Sequence, residues 1–222
     1  MDLAGELRAA AFRWPMEEAR LVRLVGSGRA PRSLLRAMSV RIFIIATRLT
    51  GYLARLAVMT DDARVRLHLI NNLLEESGIE TAAGNGLVAD GSKLHLNWAR
   101  TFALACGIGE CELWREAARG SFGSPPWVEA AMGEGDWIGA TSFLMAEEMN
   151  APRTLEPMMQ GLLAAGFEPP SLIFFANHLE DDTRHGEEAL RLLGELAAAP
   201  ASRERVLRGL REGADAWWRM HN

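Results

Sequence analysis

The 222 residues include one lysine, Lys93, one tyrosine, Tyr52, and two cysteines, Cys106 and Cys111. The cysteines lack Cys-x-x-Cys spacing, which excludes a disulfide framework and a thiolate zinc or redox site and leaves buried reduced thiols as the expectation. There are 24 Lys plus Arg against 29 Asp plus Glu and no basic run, so the electrostatic footprint of a nucleic-acid binder is missing. The opening MDLAGELRAAAFRW carries acids where a secretory signal needs a basic start and an unbroken apolar stretch. No apolar run approaches the length of a membrane span. A cytoplasmic protein with neither a nucleic-acid nor a membrane partner is expected. Alternating runs of β-branched and polar residues are also scarce, which argues against an extended sheet. No repeat, low-complexity tract or polar linker divides the chain, so residues 1–222 read as a single domain.

What is present is helical periodicity. Nearly half the residues, 49%, are hydrophobic, enough to bury a core. Apolar positions recur at three and four almost throughout, with Gly and Pro between the runs, so the fold class is an all-α bundle. PMEEARLVRLVG predicts a helix opening at Pro15, with acids in its first turn, and stopping at Gly26. A long helix follows from Pro31. Thr60 or Asp61 caps the next, whose apolar Val65, Leu67, Leu69, Ile70 and Leu73 cover a broad face. Residues 79–92, rich in small and turn-forming types around Ala83, Gly84, Asn85 and Gly86, predict a loop. SKLHLNWARTFALACG and ECELWREAARG predict two helices, and GSFGSPPW a break. DWIGATSFLMAEEMN, PRTLEPMMQGLLAAG, PPSLIFFANHLEDDTRHGEEALRLLGELAAA and SRERVLRGLREGADAWWRM complete the helices.

The chemistry concentrates in HLEDDTRH. Successive helical residues turn by about 100°, so residues four and seven apart share one face. His178, Asp182 and His185 therefore converge, and Asp181 could replace Asp182 on angle alone. Apolar SLIFFA before and ALRLL after the triad imply buried flanking turns, where unpartnered carboxylates cost several kcal/mol each. Other helices offer further ligands: Glu75 or Glu76 in LLEESG, His95 in SKLHLNW, and Glu147 or Glu148 in FLMAEEMN. One acid from each pair, His95 and the triad make three carboxylates and three imidazoles, a set able to hold two metal ions. Oxygen and nitrogen donors without thiolates suit iron, manganese or zinc, with a redox-active metal the best match. Four-helix bundles build dinuclear carboxylate sites from facing helices in the same manner, but the Glu-x-x-His repeat of ferritin-like sites is missing.

Other candidates have blander readings. Phe143, Leu144, Met145, Phe174 and Phe175 have the spacing of core residues, although they could line a pocket. Trp98, three residues from His95, is the best pocket candidate among the tryptophans. His68 reads as an interface or satisfied core histidine. Arg184 reads as a surface partner of Glu180 or Glu188.

At these residues the sequence resembles the heme-oxygenase-like diiron oxidases and oxygenases, which share a fold of about seven to eight helices with TenA thiaminases and the pyrroloquinoline-quinone synthase PqqC. The family pattern is a helix end N-L-x-x-E-x-G, a ligand histidine beyond a loop, a helix ending in E-x-x-x-P, and H-x-x-x-D-x-x-H. This chain supplies NLLEESG with Glu76, KLHLNW with His95, EMNAP with Glu148, and HLEDDTRH with His178, Asp182 and His185. Glu75 and Glu147 remain register alternatives. The loop between Glu76 and His95 is longer than the family usually shows.

The resemblance implies a nonheme diiron enzyme. It would use two Fe2+ ions and O2, with an external reductant, to oxidise an amino-acid, amine or fatty-acid-like small molecule by N-oxygenation or oxidative C–C cleavage. Some relatives consume their own tyrosine, which singles out Tyr52. The competing readings are a metal-independent TenA- or PqqC-like enzyme and a helical small-molecule or partner binder. A homodimer is the default assembly.

Overall fold

The structure, a computed structural model, describes residues 2–81, 86–119 and 126–222. Among these the chain forms ten α-helices and one two-stranded antiparallel hairpin, more helices than the seven to eight expected. The helices are α1 (Leu3–Ala11), α2 (Arg20–Gly26), α3 (Arg32–Met59), α4 (Ala63–Glu76), α5 (His95–Ala105), α6 (Glu110–Arg119), α7 (Pro126–Gly133), α8 (Trp137–Ala164), α9 (Ile173–Ala197) and α10 (Pro200–His221). The hairpin pairs β1 (Ile79–Thr81) with β2 (Leu87–Ala89). The chain divides into two compact units, Met1–Arg29, Ser124–Gly166 and Phe175–Asn222 in the first, Ala30–Gly123 and Phe167–Phe174 in the second.

The first unit is organised around α8 and α10. A Cβ added at Gly209 would lie 2.3 Å from the Gly139 carbonyl oxygen, and one at Gly213 would lie 2.3 Å from that of Phe143. The two backbones therefore touch, and no larger residue fits at either point. Asp136 starts α8 by accepting from the Gly139 amide at 3.0 Å, and it binds Arg205 and Arg208 of α10 at 2.7 and 2.8 Å. Burial raises its carboxyl, but the amide and the two guanidinium groups outweigh that and hold it below the usual carboxylate range. Trp14 stacks on Trp218 of α10 at 5.2 Å and donates to Asp215 at 2.6 Å, which ties the N-terminal segment to the last helix.

The second unit packs α4, α5 and α6 around α3. Phe43, Ala46, Ala99, Ala103, Ile108 and Leu113 make its core, with Phe174 packed against them. Arg66 donates to the Ala57 carbonyl at 3.1 Å and to the carbonyl of Thr60, holding the α3–α4 turn. Asp62, rather than Thr60 or Asp61, caps α4. Its carboxylate accepts from the amides of Arg64 and Val65, and the Arg64 side chain holds its pKa down at about 2.

Several expectations are corrected here. Pro15 does not open a helix continuous to Gly26: a 3-10 turn, Met16–Glu18, is followed by Ala19 outside any helix, and α2 starts only at Arg20. The break expected after Asn150 is absent, because α8 runs through Pro152 and Pro157. Each proline removes a rung of the helix and costs up to about 3 kcal/mol. The buried residues on either side, from Met149 to Leu162, offset that cost. On α4, Leu67 and Ile70 are exposed although they fit the apolar period, while Val65 and Leu69 are buried. Cys106 is buried as expected, but Cys111 is exposed. It lies two positions before inward-facing Leu113, on the opposite side of α6.

The expected loop at 79–92 contains the hairpin and a 3-10 turn, Gly91–Lys93. Residues 82–85 of it, including Ala83, Gly84 and Asn85, lie outside the described residues, as do residues 120–125 of the expected break, while Pro126 and Trp127 open α7. Although no span-length run was expected, α3 is long and apolar enough to cross a membrane by length and composition. Arg32, Arg36, Arg41, Arg48 and Arg55 punctuate it, and Leu35, Phe43, Leu53 and Leu56 are buried.

Candidate metal centre

Each unit carries part of the expected ligand set. In the second, Glu76 is the last residue of α4 and His95 the first of α5. Gly78 turns the chain out of α4 at φ +64, where a Cβ would meet the Asp90 carbonyl oxygen at 2.6 Å and the Leu94 amide at 2.8 Å. Only glycine fits there. The Asp90 amide donates back to the Gly78 carbonyl at 2.8 Å, so the hairpin leaves and rejoins the chain at one point. That closure absorbs the extra loop length noted in the sequence.

Asp90 then caps the 3-10 turn, accepting from the amide and hydroxyl of Ser92. These bonds keep its carboxyl below the ordinary range. The Trp98 indole donates to the Ser92 carbonyl at 2.6 Å, and its ring stacks on His95 at 4.3 Å. Trp98, the best pocket candidate among the tryptophans, is thus a buried wall against the imidazole. His95 is 4% exposed, and its Nδ1 lies 3.0 Å from Glu76 Oε2.

In the first unit, Glu148 lies on α8, partly buried. Pro152, four residues on, has no N–H to give the Glu148 carbonyl, so the helix lacks its rung at this residue. His178, Asp182 and His185 lie on α9, with Asp182 and His185 at 7% and 6% exposure and His178 partly buried. Asp181 leaves its side chain 31% exposed and pairs with Arg184 at 3.7 Å, so α9 turns Asp182 inward and Asp181 outward. Gly186 of α9 faces Met149 of α8, where an added Cβ would lie 3.5 Å from the Met149 Cα. These two residues directly follow His185 and Glu148, so the close approach of α9 to α8 falls beside both ligand candidates.

The blander candidates also find places. Arg184 also reaches Glu188, at 3.8 Å, as a half-exposed surface pair. Phe143 is buried and stacks on Trp127 at 5.8 Å, and Phe175, Leu144 and Met145 are buried as well. His68 and Tyr52 are partly buried.

Two ligand atoms bound at about 2.1 Å and at right angles on one ion lie about 3 Å apart. The 3.0 Å between His95 Nδ1 and Glu76 Oε2 fits that spacing. The donor chemistry fits iron too, with imidazole nitrogen and carboxylate oxygen and no thiolate among the candidates.

The chain is similar to a TenA homolog from Pseudomonas syringae pv. tomato strain DC3000, at 13% identity and a TM-score of 0.70 over 97% of this chain and 88% of that one. It is also similar to a domain of unknown function with a heme oxygenase-like fold from Shewanella denitrificans OS217, at 16% identity and a TM-score of 0.64 over 99% and 93%. These likenesses define an all-helical heme-oxygenase-like fold. The chain belongs to the family described as iron-containing redox enzymes, whose profile matches residues 40–218. No curated protein matches it.

The sequence marks Gly78 as the stop of the helix before the loop, and the structure bears that out. Sequence reasoning passed over Asp90 and Gly186, which position the candidates without ligating, and Asp90's place among turn-forming residues was its one visible signal.

Proposed function

We propose that this protein is a nonheme diiron oxygenase or oxidase that uses O2 to oxidise an amino-acid, amine or fatty-acid-like small molecule. In this reading Glu76, His95, Glu148, His178, Asp182 and His185 hold two iron ions. The observation that carries it is the pairing of buried His95 with partly buried Glu76 at ligand spacing, in a chain belonging to an iron-containing redox family. Two ferrous ions so held would supply electrons for reducing O2, with an external reductant restoring them. The protein's own contribution follows from its chemistry. Three carboxylates offset most of the charge of two divalent ions, and three neutral imidazoles add donors without further charge. Leu144, Met145 and Phe175 in the first unit, and Trp98 in the second, are buried apolar side chains on the ligand-bearing helices, the kind that keeps water from reactive species.

The test is O2 consumption by Fe(II)-loaded protein, followed by intact-mass analysis. The expected result is O2 uptake dependent on iron, with the protein mass unchanged because the substrate is external. Loss of mass from Tyr52 would redirect the reading to self-oxidation. Catalysis that survives complete chelation would favour the competing reading of a metal-independent enzyme, with the same acids and histidines moving protons.

A further inference from the structure

Buried hydroxyls on the helices of this protein satisfy themselves in one way. Ser39 donates to the Arg36 carbonyl at 2.9 Å, Ser142 to Ile138 at 2.7 Å, and Thr154 to Ala151 at 2.9 Å. Thr141 breaks the pattern. It is 0% exposed, yet its Oγ1 has no hydrogen-bond partner among the described residues. Leaving a buried hydroxyl unmatched costs about 1–3 kcal/mol, and valine would fill the same volume without that cost. An unmatched hydroxyl there points to a partner from beyond the described residues, which a bound small molecule would supply.

Its place on α8 says what kind. Gly139, Ser142, Phe143 and Ala146 form the side of α8 that meets α10. Thr141 and Glu148, seven residues apart, lie within about 20° of one another on a different side, with Leu144 and Met145 between them along the axis. Both intervening side chains are buried and apolar. The strip thus reads, in order, one hydroxyl, an apolar stretch and one carboxylate. Seven residues of helix rise about 10 Å, the reach of roughly eight or nine single bonds in an extended chain.

We infer that Thr141 is a substrate-binding residue for an elongated, largely aliphatic small molecule with a polar group at each end. One end lies by Glu148, the aliphatic stretch lies over Leu144 and Met145, and the far polar group exchanges a hydrogen bond with the Thr141 hydroxyl. This rests on the reading of Glu148 as part of the metal centre. It adds a length and a second polar terminus to the substrate.

The experiment uses metal-free full-length protein and two probes, octylamine and 8-amino-1-octanol. Their ammonium groups suit carboxylates that hold no metal, and only the second carries a distal hydroxyl. Calorimetric titration of the wild type should show the amino alcohol binding about fivefold more tightly, the effect of one net hydrogen bond. Thr141→Val should abolish that preference and Thr141→Ser should keep it. Without ligand, Thr141→Val should also melt a few degrees higher, because it removes an unmatched polar atom.

Equal binding of the two probes to the wild type, no binding of either, an undiminished preference in Thr141→Val, or a lowered melting temperature in that variant would each overturn the inference. A lowered melting temperature would mean that the hydroxyl holds an internal water as part of the fold. Iron content separates the two levels. Wild-type protein that takes up iron but shows no preference contradicts only the role of Thr141, whereas protein that takes up no iron removes the underlying reading as well.

Discussion

Single side chains here take their properties from which face of a helix they occupy. Cys106 is buried, and burial pushes its thiol up to about 11 despite Ser39 and the nearby Arg32 and Arg36. A thiol in that state is protonated and inert at neutral pH, whereas Cys111 is exposed. Iodoacetamide at pH 8 should therefore label Cys111 and spare Cys106 in the native protein, as peptide mass mapping would report. Equal labelling of both would contradict the packing of α3 against the α5–α6 turn. Asp136 offers a second test. Its carboxyl is held below the usual carboxylate range, so the stability it contributes is present above the ordinary aspartate value and is lost as pH falls through the depressed one. Asp136→Asn should cost about 2 kcal/mol at pH 7, from a helix cap and two charged hydrogen bonds, and the difference from wild type should shrink below about pH 4. Thermal melts across pH would show this.

The helices themselves were largely legible from sequence, because apolar periodicity reports burial directly. Arg32–Met59 and His95–Ala105 fall where the pattern put them. Local signals misled where tertiary packing outweighed them. The stretch before Pro152 read as a boundary, yet both flanks are buried and α8 continues. Leu67 and Ile70 fit the apolar period of α4 but stay exposed, because periodicity gives a face and cannot say whether another element covers it. The hairpin was read as loop because two three-residue strands are too short for alternation to register. The α8–α10 interface supplies the prediction at this scale. Gly213→Ala would press a methyl group against the Phe143 carbonyl oxygen at 2.3 Å, so the helices must separate. A loss of about 2 kcal/mol or more is expected, which lowers the melting temperature by roughly 4–8 °C. A variant as stable as wild type would show that the two backbones do not touch there.

For the molecule as a whole, the candidate site was legible as a roster and only partly as an arrangement. Residue types and spacing offered His95, the His178, Asp182 and His185 triad with Asp181 as an alternative, and one acid each from Glu75 or Glu76 and from Glu147 or Glu148, and the family resemblance singled out Glu76 and Glu148. The structure adds the 3.0 Å approach of Glu76 to His95, the burial of Asp182 in preference to Asp181, and the close approach of α9 to α8 beside His185 and Glu148. None of these could be read from sequence, since each depends on a turn or an interhelical distance. Gly78 and the hairpin return His95 to Glu76 across a segment whose length alone argued against the pairing. Membership of the iron-containing redox family supplies the class of chemistry, and the heme-oxygenase-like fold is shared by relatives at 13% and 16% identity. Side chains on the scaffold must therefore carry the choice of reaction.

The central claim is that six side chains, Glu76, His95, Glu148, His178, Asp182 and His185, hold two irons. It is tested most directly by elemental analysis of protein reconstituted anaerobically with Fe(II) and desalted, for the wild type and for His95→Ala, His178→Ala and His185→Ala. The account predicts two irons per wild-type chain and a loss of iron in all three variants, each still folded by circular dichroism. Two irons retained in any of the variants, or none in the wild type, would contradict it.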